Sequence, residues 1–214
     1  MILAAGGATK LYPLTYTLPK PLVPVLNRPV IEHIIELLHG HGIRDLIINL
    51  HYLHRSIEEA LGDGSRFGVK IFYSFEPELR GTAGGVRQVA DHFKETFVVI
   101  GADDLTEMVE FHRQHRALAT LAAVPVQTPT EEGVLELDEE RRVTWFLEKP
   151  GLQRGAAGNW SNTGVYVFEP EVLSMIPAKG SYDFGRQLFP ELVRQRKRFF
   201  GYPAESSFWR DIGS

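Results

Sequence analysis

Apolar and polar residues follow two different periods along the first part of the chain. Short continuous apolar runs, such as DLIINL at 45–50 and FVVIG at 97–101, predict strands that are buried on both faces. Between such runs, apolar residues recur every three to four positions, as in the segment from Pro29 to Gly40. Strands that alternate with helices in this way predict a mainly parallel α/β sheet.

The pattern changes near residue 130. GVLELDEERRVTWFLEKP predicts a β-hairpin with its turn at Asp138–Arg141, because residues alternate along both arms. NTGVYVFEP and RFFGYPA predict two further strands, and SYDFGRQLFPELVRQ predicts a helix between them. Since no linker or repeat separates the two parts of the sequence, we interpret the second part as a lobe built onto one sheet.

Composition narrows the class of protein. The 214 residues are 43% hydrophobic and 23% charged, which is typical of a globular protein with a substantial core. A net charge of -4 argues against nucleic acid as a partner, and the lack of cysteine excludes disulfides, thiol catalysis and Cys-ligated zinc. No apolar run is long enough to span a bilayer, and MILAAG lacks the basic flank of a signal peptide. We therefore expect a cytoplasmic protein with no membrane partner.

The opening segment suggests a phosphate site. Residues 2–5 predict a short strand that runs into Gly6 and Gly7, and such a turn directs backbone N–H groups towards an anion. GGATK fits neither the P-loop nor the dinucleotide fingerprint, so a purely structural turn stays open. Lys20 lies between two prolines, which predicts a cation held on a stiff, extended segment. A positioned cation of this kind suits a phosphate ligand.

At this point the sequence resembles a known family. AAGGATKLYPLT…PKPLVPV is similar to the signature GxGTRLxPLT…PKPLxPV of the sugar-1-phosphate nucleotidyltransferases. Further segments resemble motifs of that family and occur in the family order: EPELRGTAGG, VVIGADDLT, FLEKP, NTGVYVFEPEVL and FWRDIGS. Among the branches of the family, GTAG after EPEL is most similar to the mannose-1-phosphate guanylyltransferases. The resemblance covers essentially the whole chain.

The resemblance implies a fold and a domain organisation. It implies a Rossmann-like, twisted, mixed and mostly parallel sheet with helices on both faces and a small sugar-binding β lobe. A single nucleotidyltransferase domain would span residues 1–214, with a nucleotide-binding half at about 1–125 and a sugar-binding part at about 126–214. Family members normally continue beyond the point where this chain stops, so we expect that their C-terminal extension is absent here. The resemblance leaves open whether the chain forms a homo-oligomer.

The implied reaction joins a sugar 1-phosphate to a nucleotide. An oxygen of the sugar phosphate attacks the α-phosphorus of a nucleoside triphosphate and releases pyrophosphate, with GTP and mannose 1-phosphate as the favoured pair. The nucleophile is already largely ionised at neutral pH, because the second pKa of such a phosphate is about 6, so no general base is needed. We expect catalysis by positioning and by charge neutralisation from lysines and Mg²⁺.

The family motifs assign roles to individual residues. The implied catalytic residues carry charge: Lys10, Lys20, Asp103 and Asp211. The two aspartates, Asp103 and Asp211, would also ligate Mg²⁺ through oxygen. Residues implied to contact the nucleotide are mostly small: Leu3, Ala5, Gly6, Gly7, Thr9, Lys10, Gly81, Thr82 and Gly84. Those implied to hold the sugar phosphate are Glu148, Lys149 and Asn162.

Each assignment has a structural alternative. Residues 81–84 are also typical of a helix N-terminus with Thr82 as its cap. Glu148 and Lys149 are also typical of an exposed ion pair at the end of a strand, and Asn162 of a strand-start cap. The histidine pairs, including HRQH at 112–115, predict solvated or helix-end side chains rather than metal ligands. RQRKR at 194–198 predicts the exposed end of a helix.

Two departures from the family signature leave other functions open. Ala8 and Lys10 stand where the family has Gly and Arg, which motivates a catalytically weak, sugar-nucleotide-binding regulatory homologue. An enzyme of the same family that pairs dTTP, UTP or CTP with a glucose, heptose or amino-sugar 1-phosphate is a further alternative. A glycosyltransferase would instead use ADD at 102–104 as its metal motif and consume a nucleotide sugar.

Overall fold

The computed structural model describes residues 1–7, 11–100, 105–125, 133–149 and 159–204. These residues form two compact units, of which one is Met1–Leu79 and the other begins at Arg80. The predicted functional boundary near residue 125 stays a prediction.

The first unit is built on a wholly parallel sheet. Its elements in chain order are β1 (Ile2–Leu3), β2 (Pro24–Val25), β3 (Arg28–Pro29), α1 (Val30–Gly40), β4 (Asp45–Leu50), α2 (His54–Leu61) and β5 (Lys70–Phe75). Three of the strands pair in the order β1-β4-β5, and β2 pairs with β3 in a short antiparallel ribbon. In α1, Ile31, Ile35 and Leu38 are buried at the spacing of one helix face, as the apolar pattern predicts.

The second unit combines antiparallel and parallel pairing. Its elements are α3 (Gly81–Gln88), β6 (Phe97–Val99), α4 (Leu105–Gln114), β7 (Ala119–Pro125), β8 (Val134–Leu137), β9 (Val143–Leu147), β10 (Trp160–Phe168), α5 (Phe189–Arg194) and β11 (Phe199–Pro203). The strand order is β11-β7-β10-β8-β9, and β6 also pairs with β10. β10 runs antiparallel to its three neighbours, whereas β7 and β11 are parallel.

A chain of aromatic rings fills the core beneath this sheet. Phe168 stacks on Phe184 at 5.2 Å between ring centroids, and Phe189 stacks on Phe199 at 5.1 Å. All four rings are at most 2% exposed. They fix β10, α5 and β11 around one apolar centre, because burying a ring of this size is worth roughly 1.5–3 kcal/mol.

The predicted elements are largely confirmed, with three corrections. The sheet was expected to be mostly parallel, but among the described strands three pairings are parallel and five are antiparallel. The mixed α/β class and the β8–β9 hairpin are confirmed, and the side chain of Asp138 closes the hairpin turn by accepting the N–H groups of Glu140 and Arg142 at 3.0 and 2.8 Å. The sequence pattern predicts no element at β7, which the structure shows as a seven-residue strand. The predicted helix from Ser181 begins as a π-helical turn at Phe184, because the residues before it are extended.

Among the described residues, no helix combines the length and the apolar character that crossing a bilayer requires.

Candidate active site

A buried side-chain network holds the segment that follows β1. Asn49 Oδ1 accepts the N–H of Ala4 at 2.8 Å, and Asn49 Nδ2 donates to Glu76 Oε1 at 2.7 Å. Asn49 lies near the end of β4 and Glu76 follows β5, and both are almost completely buried. One amide therefore ties together the carboxyl ends of three parallel strands, the edge at which open α/β sheets bind ligands.

Backbone contacts complete this edge of the sheet. The N–H of Glu76 donates to the carbonyl of Leu50 at 2.8 Å, and His51 Nδ1 lies 2.7 Å from the carbonyl of Glu76. Sequence reasoning missed Asn49 as a functional residue. The signal was present, since Asn49 is the one polar residue between Leu46 and Leu50.

Gly6 and Gly7 have room on the side where a Cβ would stand. Neither has a φ in the left-handed region, and a Cβ built on either meets no atom of the described residues within 4 Å. The described part of the chain therefore gives no reason for glycine at these two positions, and it leaves their backbone open to close approach. Leu3 and Ala5, in the same segment, are half-buried and buried. The contacts of all four with a nucleotide stay a prediction.

The conformation at Lys20 corrects one expectation. Pro19 is extended, with ψ 145°, but Lys20 begins a 3₁₀ turn that ends at Leu22. Leu22 N donates to the Pro19 carbonyl at 2.8 Å and Val23 N donates to the Lys20 carbonyl at 3.1 Å. The segment is fixed, as predicted, yet it is turned rather than extended, because both carbonyls find donors three residues ahead.

Residues 80–84 pack against a distant segment of the second unit. Gly81 has φ +73°, and a Cβ there would lie 2.8 Å from the Tyr182 carbonyl oxygen. Gly84 is buried, and its N–H donates to that same carbonyl at 2.8 Å. A Cβ on Gly84 would lie 2.9 Å from Arg80 Cβ, so both glycines have a structural reason within the chain itself. Their predicted contact with a nucleobase stays a prediction.

The cap of α3 also comes from the distant segment. Asp183 Oδ1 accepts the N–H of Thr82 at 3.1 Å and the hydroxyl of Thr82 at 3.3 Å. The same hydroxyl accepts the N–H of Phe184 at 2.9 Å. Asp183 thus serves the N-terminus of α3 from 101 residues away, where the sequence alternative named Thr82 as the cap.

The Glu148 carboxylate lies against two glycines that the sequence analysis did not single out. A Cβ on Gly185 would stand 2.1 Å from Glu148 Oε2, and a Cβ on Gly133 would stand 2.7 Å from the same oxygen. Real Cβ atoms do not approach oxygen so closely, so a side chain at either position would move the carboxylate. Gly133 and Gly185 therefore leave space for Glu148 at the end of β9.

Asn162 reaches the same neighbourhood from β10. Its N–H donates to the Gly133 carbonyl at 2.8 Å, and its Nδ2 donates to Tyr166 Oη at 2.9 Å. A β-bulge lies between Asn162 and Tyr166, and Gly164 within it has φ +85° and donates its N–H to Asn162 Oδ1 at 3.1 Å. Asn162 is therefore held inside a strand by its own bulge, rather than capping the start of one.

Tyr166 links the two predicted sugar-binding residues electrostatically. Burial raises the pKa of the Tyr166 phenol, the hydrogen bond from Asn162 opposes that rise, and the charge of Glu148 adds to it. Tyr166 is consequently a neutral phenol at physiological pH. The structure thus brings Glu148 and Asn162 together around Gly133 and Tyr166.

The remaining predicted residues are placed as follows. Lys149 is exposed, with φ +49°, an unusual conformation for a residue with a side chain. The others lie outside the described residues: Thr9, Lys10, Asp103 and Asp211. Within the described ranges, no group of three or more His, Asp or Glu side chains is placed to hold a metal ion. The predicted metal site therefore stays a prediction.

Comparison with known proteins decides the family. Residues 1–214 match the profile of the family described as nucleotidyl transferase. The chain belongs to this family. A UTP--glucose-1-phosphate uridylyltransferase from Synechocystis is 39% identical to this family member over 100% of the chain and 59% of the relative. A mannose-1-phosphate guanylyltransferase from Mycobacterium tuberculosis is 35% identical over 100% of the chain and 60% of the relative.

A solved structure supports the same assignment. A Bacillus anthracis protein, provisionally assigned as a glucose-1-phosphate thymidylyltransferase and complexed with sucrose, matches at 26% identity with a TM-score of 0.84. The match covers 100% of this nucleotidyl transferase chain and 89% of that chain. The likeness confirms the predicted Rossmann-like α/β fold class. The chain spans about 60% of the length of the two curated relatives.

Replacing Asn49 tests the network at the sheet edge. We expect Asn49→Leu to lower the free energy of unfolding by about 1–3 kcal/mol, because the buried N–H of Ala4 and carboxylate of Glu76 both lose their amide partner. The measurement is urea unfolding followed by circular dichroism. Asn159→Leu, at an exposed asparagine, is the control and should change stability by less than about 0.5 kcal/mol. Equal stability of the two variants would contradict the structural role of Asn49.

Proposed function

We propose that this chain transfers a nucleotidyl group from a nucleoside triphosphate to a sugar 1-phosphate. An oxygen of the sugar phosphate forms a new bond to the α-phosphorus, the bond from that phosphorus to the bridging oxygen of the β-phosphate breaks, and pyrophosphate leaves. The products are a nucleoside-diphosphate sugar and pyrophosphate. The observation that carries this proposal is the match of residues 1–214 to the nucleotidyl transferase family.

The geometry of the described residues supports this reaction. The open backbone at Gly6 and Gly7 follows Ala4, whose N–H is bound by Asn49, and this backbone can offer N–H groups to a phosphate. In the second unit, the Glu148 carboxylate and the backbone N–H of Asn162 lie beside Gly133, where groups that bind sugar hydroxyls are expected. The nucleophile needs no base, so the chain supplies position and charge.

GTP and mannose 1-phosphate are the substrate pair that we propose first. Residues 81–85 read GTAGG, which is similar to the guanylyltransferase branch, and a mycobacterial mannose-1-phosphate guanylyltransferase is 35% identical. UTP and glucose 1-phosphate form the second candidate pair. A single observation favours it, namely the 39% identity to a uridylyltransferase acting with glucose 1-phosphate.

We further propose that Asp103 and Asp211 hold Mg²⁺. When bound, this ion neutralises phosphate charge during nucleotidyl transfer. The proposal rests on the two sequence motifs that carry these aspartates, ADD and WRDIG. Lys10, Lys20 and Lys149 would bring further positive charge to the triphosphate and to the sugar phosphate.

A matrix of substrates tests the proposed function. GTP, UTP, dTTP, CTP and ATP are each combined with mannose, glucose, heptose and amino-sugar 1-phosphates, and pyrophosphate release is measured. We expect release above background, with GTP and mannose 1-phosphate giving the highest kcat/KM. Highest activity with UTP and glucose 1-phosphate would select the second pair. Nucleotide binding without pyrophosphate release in any combination would contradict the enzyme and support a regulatory homologue.

Removal of the proposed metal ligands gives a separate test. We expect Asp103→Asn and Asp211→Asn each to lower kcat by at least about a hundredfold, because electrostatic stabilisation of this kind is typically worth that much. Circular dichroism checks that both variants are folded. Pyrophosphate release during a Mg²⁺ titration measures the loss of kcat. Asp91→Asn, on the 3₁₀ segment at 90–92, is the matched control and should retain activity. Near-normal rates in either proposed ligand variant would overturn the metal assignment.

The crowding around Glu148 predicts a selective effect on the sugar substrate. Gly185→Ala places a methyl group where the Glu148 carboxylate now lies, so we expect KM for the sugar 1-phosphate to rise about tenfold, the scale of one charged hydrogen bond. KM for the nucleotide should change by less than about twofold. Gly40→Ala is the control, because a Cβ there meets no atom within 4 Å. An equal rise for both substrates in Gly185→Ala would contradict the role of Glu148.

A further inference from the structure

A basic cavity lies in the second unit, and the proposed reaction does not use it. Its volume is about 680 Å³, and five cationic side chains line it: Arg113, Arg116, Arg196, Lys197 and Arg198. Two carboxylates, Glu169 and Glu171, also line it. In a chain with a net charge of -4, such a local excess of positive charge stands out.

The floor of the cavity is built from buried, hydrogen-bonded groups. His112, which the sequence predicted as solvated or at a helix end, lies in the last turn of α4 but is only 1% exposed. Its Nδ1 lies 2.8 Å from Thr120 Oγ1, and its Nε2 lies 3.1 Å from Glu169 Oε1. Thr96 Oγ1 also donates to Glu169 Oε1 at 2.7 Å. The negative charge of Glu169 is therefore already engaged on the protein side.

Four of the cations have no partner among the described residues. The side chains of Arg113, Arg116, Arg196 and Lys197 make no hydrogen bond or ion pair within the part of the chain that the structure describes. Arg198 is engaged differently, because its Nε donates to the Arg116 carbonyl at 2.6 Å. Like charges gathered around one cavity repel each other, and the two carboxylates that line it offset only part of the five positive charges.

The backbone that presents two of these arginines is unusual. Arg116 follows α4 and Arg196 follows α5, with φ of +46° and +50°. Each occupies the left-handed position of a Schellman turn, since the next residue in each case bonds back to a carbonyl five residues earlier, at His112 and Leu192. Glycine dominates at this position, and a side chain there costs roughly 1 kcal/mol.

Helix dipoles do not account for this arrangement. A cation near a helix C-terminus stabilises the helix by about 0.3–1 kcal/mol, which explains Arg113 in the last turn of α4. Arg116 and Arg196 are themselves the left-handed residues, so the chain lacks the stability that glycine would give at these two positions. Strained positions of this kind tend to persist where the side chain has a ligand to bind.

We propose that this cavity binds an oligophosphate, either as a free inorganic chain or as the phosphate portion of a nucleotide. Several guanidinium groups can share the oxygens of linked phosphates, and the cavity volume suits a small ligand rather than a polymer. Glu169 directly follows β10, and Asn162 lies seven residues earlier in that strand. The cavity is thus roughly 20 Å along the strand from the candidate sugar site.

Binding of tripolyphosphate by calorimetry, in buffer with EDTA, tests the proposal. We expect Arg116→Gly and Arg196→Gly each to weaken binding by at least about tenfold, since each removes charged hydrogen bonds while glycine suits the left-handed backbone. Arg141→Gly is the matched control, because Arg141 has φ +65° and does not line the cavity. It should change the affinity by less than about twofold.

Further arms of the experiment identify the ligand and the site. ATP or GTP binding that is tighter than that of tripolyphosphate, and that is weakened in Arg116→Gly and Arg196→Gly but kept in Lys20→Ala, would make the ligand a nucleotide. Tighter binding of tripolyphosphate, weakened in the same two variants, would make it an inorganic chain. Lys20→Ala, in the opening segment, should leave the affinity unchanged, which separates this cavity from the proposed reaction. The proposal would be overturned if Arg141→Gly lost as much affinity for tripolyphosphate as Arg116→Gly and Arg196→Gly. It would also be overturned if Lys20→Ala lost affinity while those two arginine variants did not. Tighter binding of a single-stranded RNA that both arginine variants abolish would also overturn it.

Discussion

The buried amide of Asn49 is the constraint on which the first unit depends. A side-chain amide can donate and accept at the same time, and here it accepts from Ala4 N and donates to the carboxylate of Glu76. In an apolar interior both bonds are worth more than at the surface, and the loss of either leaves a costly unsatisfied group. The backbone at Ala4, directly after β1, is therefore fixed relative to the ends of β4 and β5, two residues before Gly6.

The glycines of the second unit are explained by the atoms that lie where their side chains would stand. A Cβ on Gly81 would meet the distant backbone at Tyr182, and one on Gly84 would meet Arg80 Cβ. A Cβ on Gly185 would meet the Glu148 carboxylate, and one on Gly133 would meet both that carboxylate and the Phe146 ring. Gly6 and Gly7 have no such neighbour in the described chain. These six glycines therefore mark three situations: close packing within the chain, accommodation of the Glu148 side chain, and an open surface.

Sequence periodicity predicted the elements whose apolar pattern is local and strong. α1, β4 and the β8–β9 hairpin follow directly from spacing, because each buries one face or is closed by its own turn residues. The sequence pattern did not predict β7, because its alanine-rich run ATLAAVP lacks both alternation and clear turn signals. Its place between β10 and β11 depends on pairing with residues far away in sequence.

The candidate site was predictable only where a residue type itself carries chemistry. Glu148 and Asn162 could be named from motifs, and the structure brings them together around Gly133. The cap from Asp183 to Thr82 and the role of Asn49 depend on contacts across the fold, which no local pattern encodes. Family resemblance supplied the remaining residues, including those outside the described ranges.

The bulge in β10 has a consequence for how this lobe can diversify. Between Asn162 and Tyr166 the strand advances four residues while β7 advances only from Ala123 to Leu121. Deleting a single residue there would exchange the inward and outward faces of everything upstream, because side chains alternate along a strand. A change of one residue in length is therefore disfavoured at this point, whereas side chains can be replaced without shifting the register.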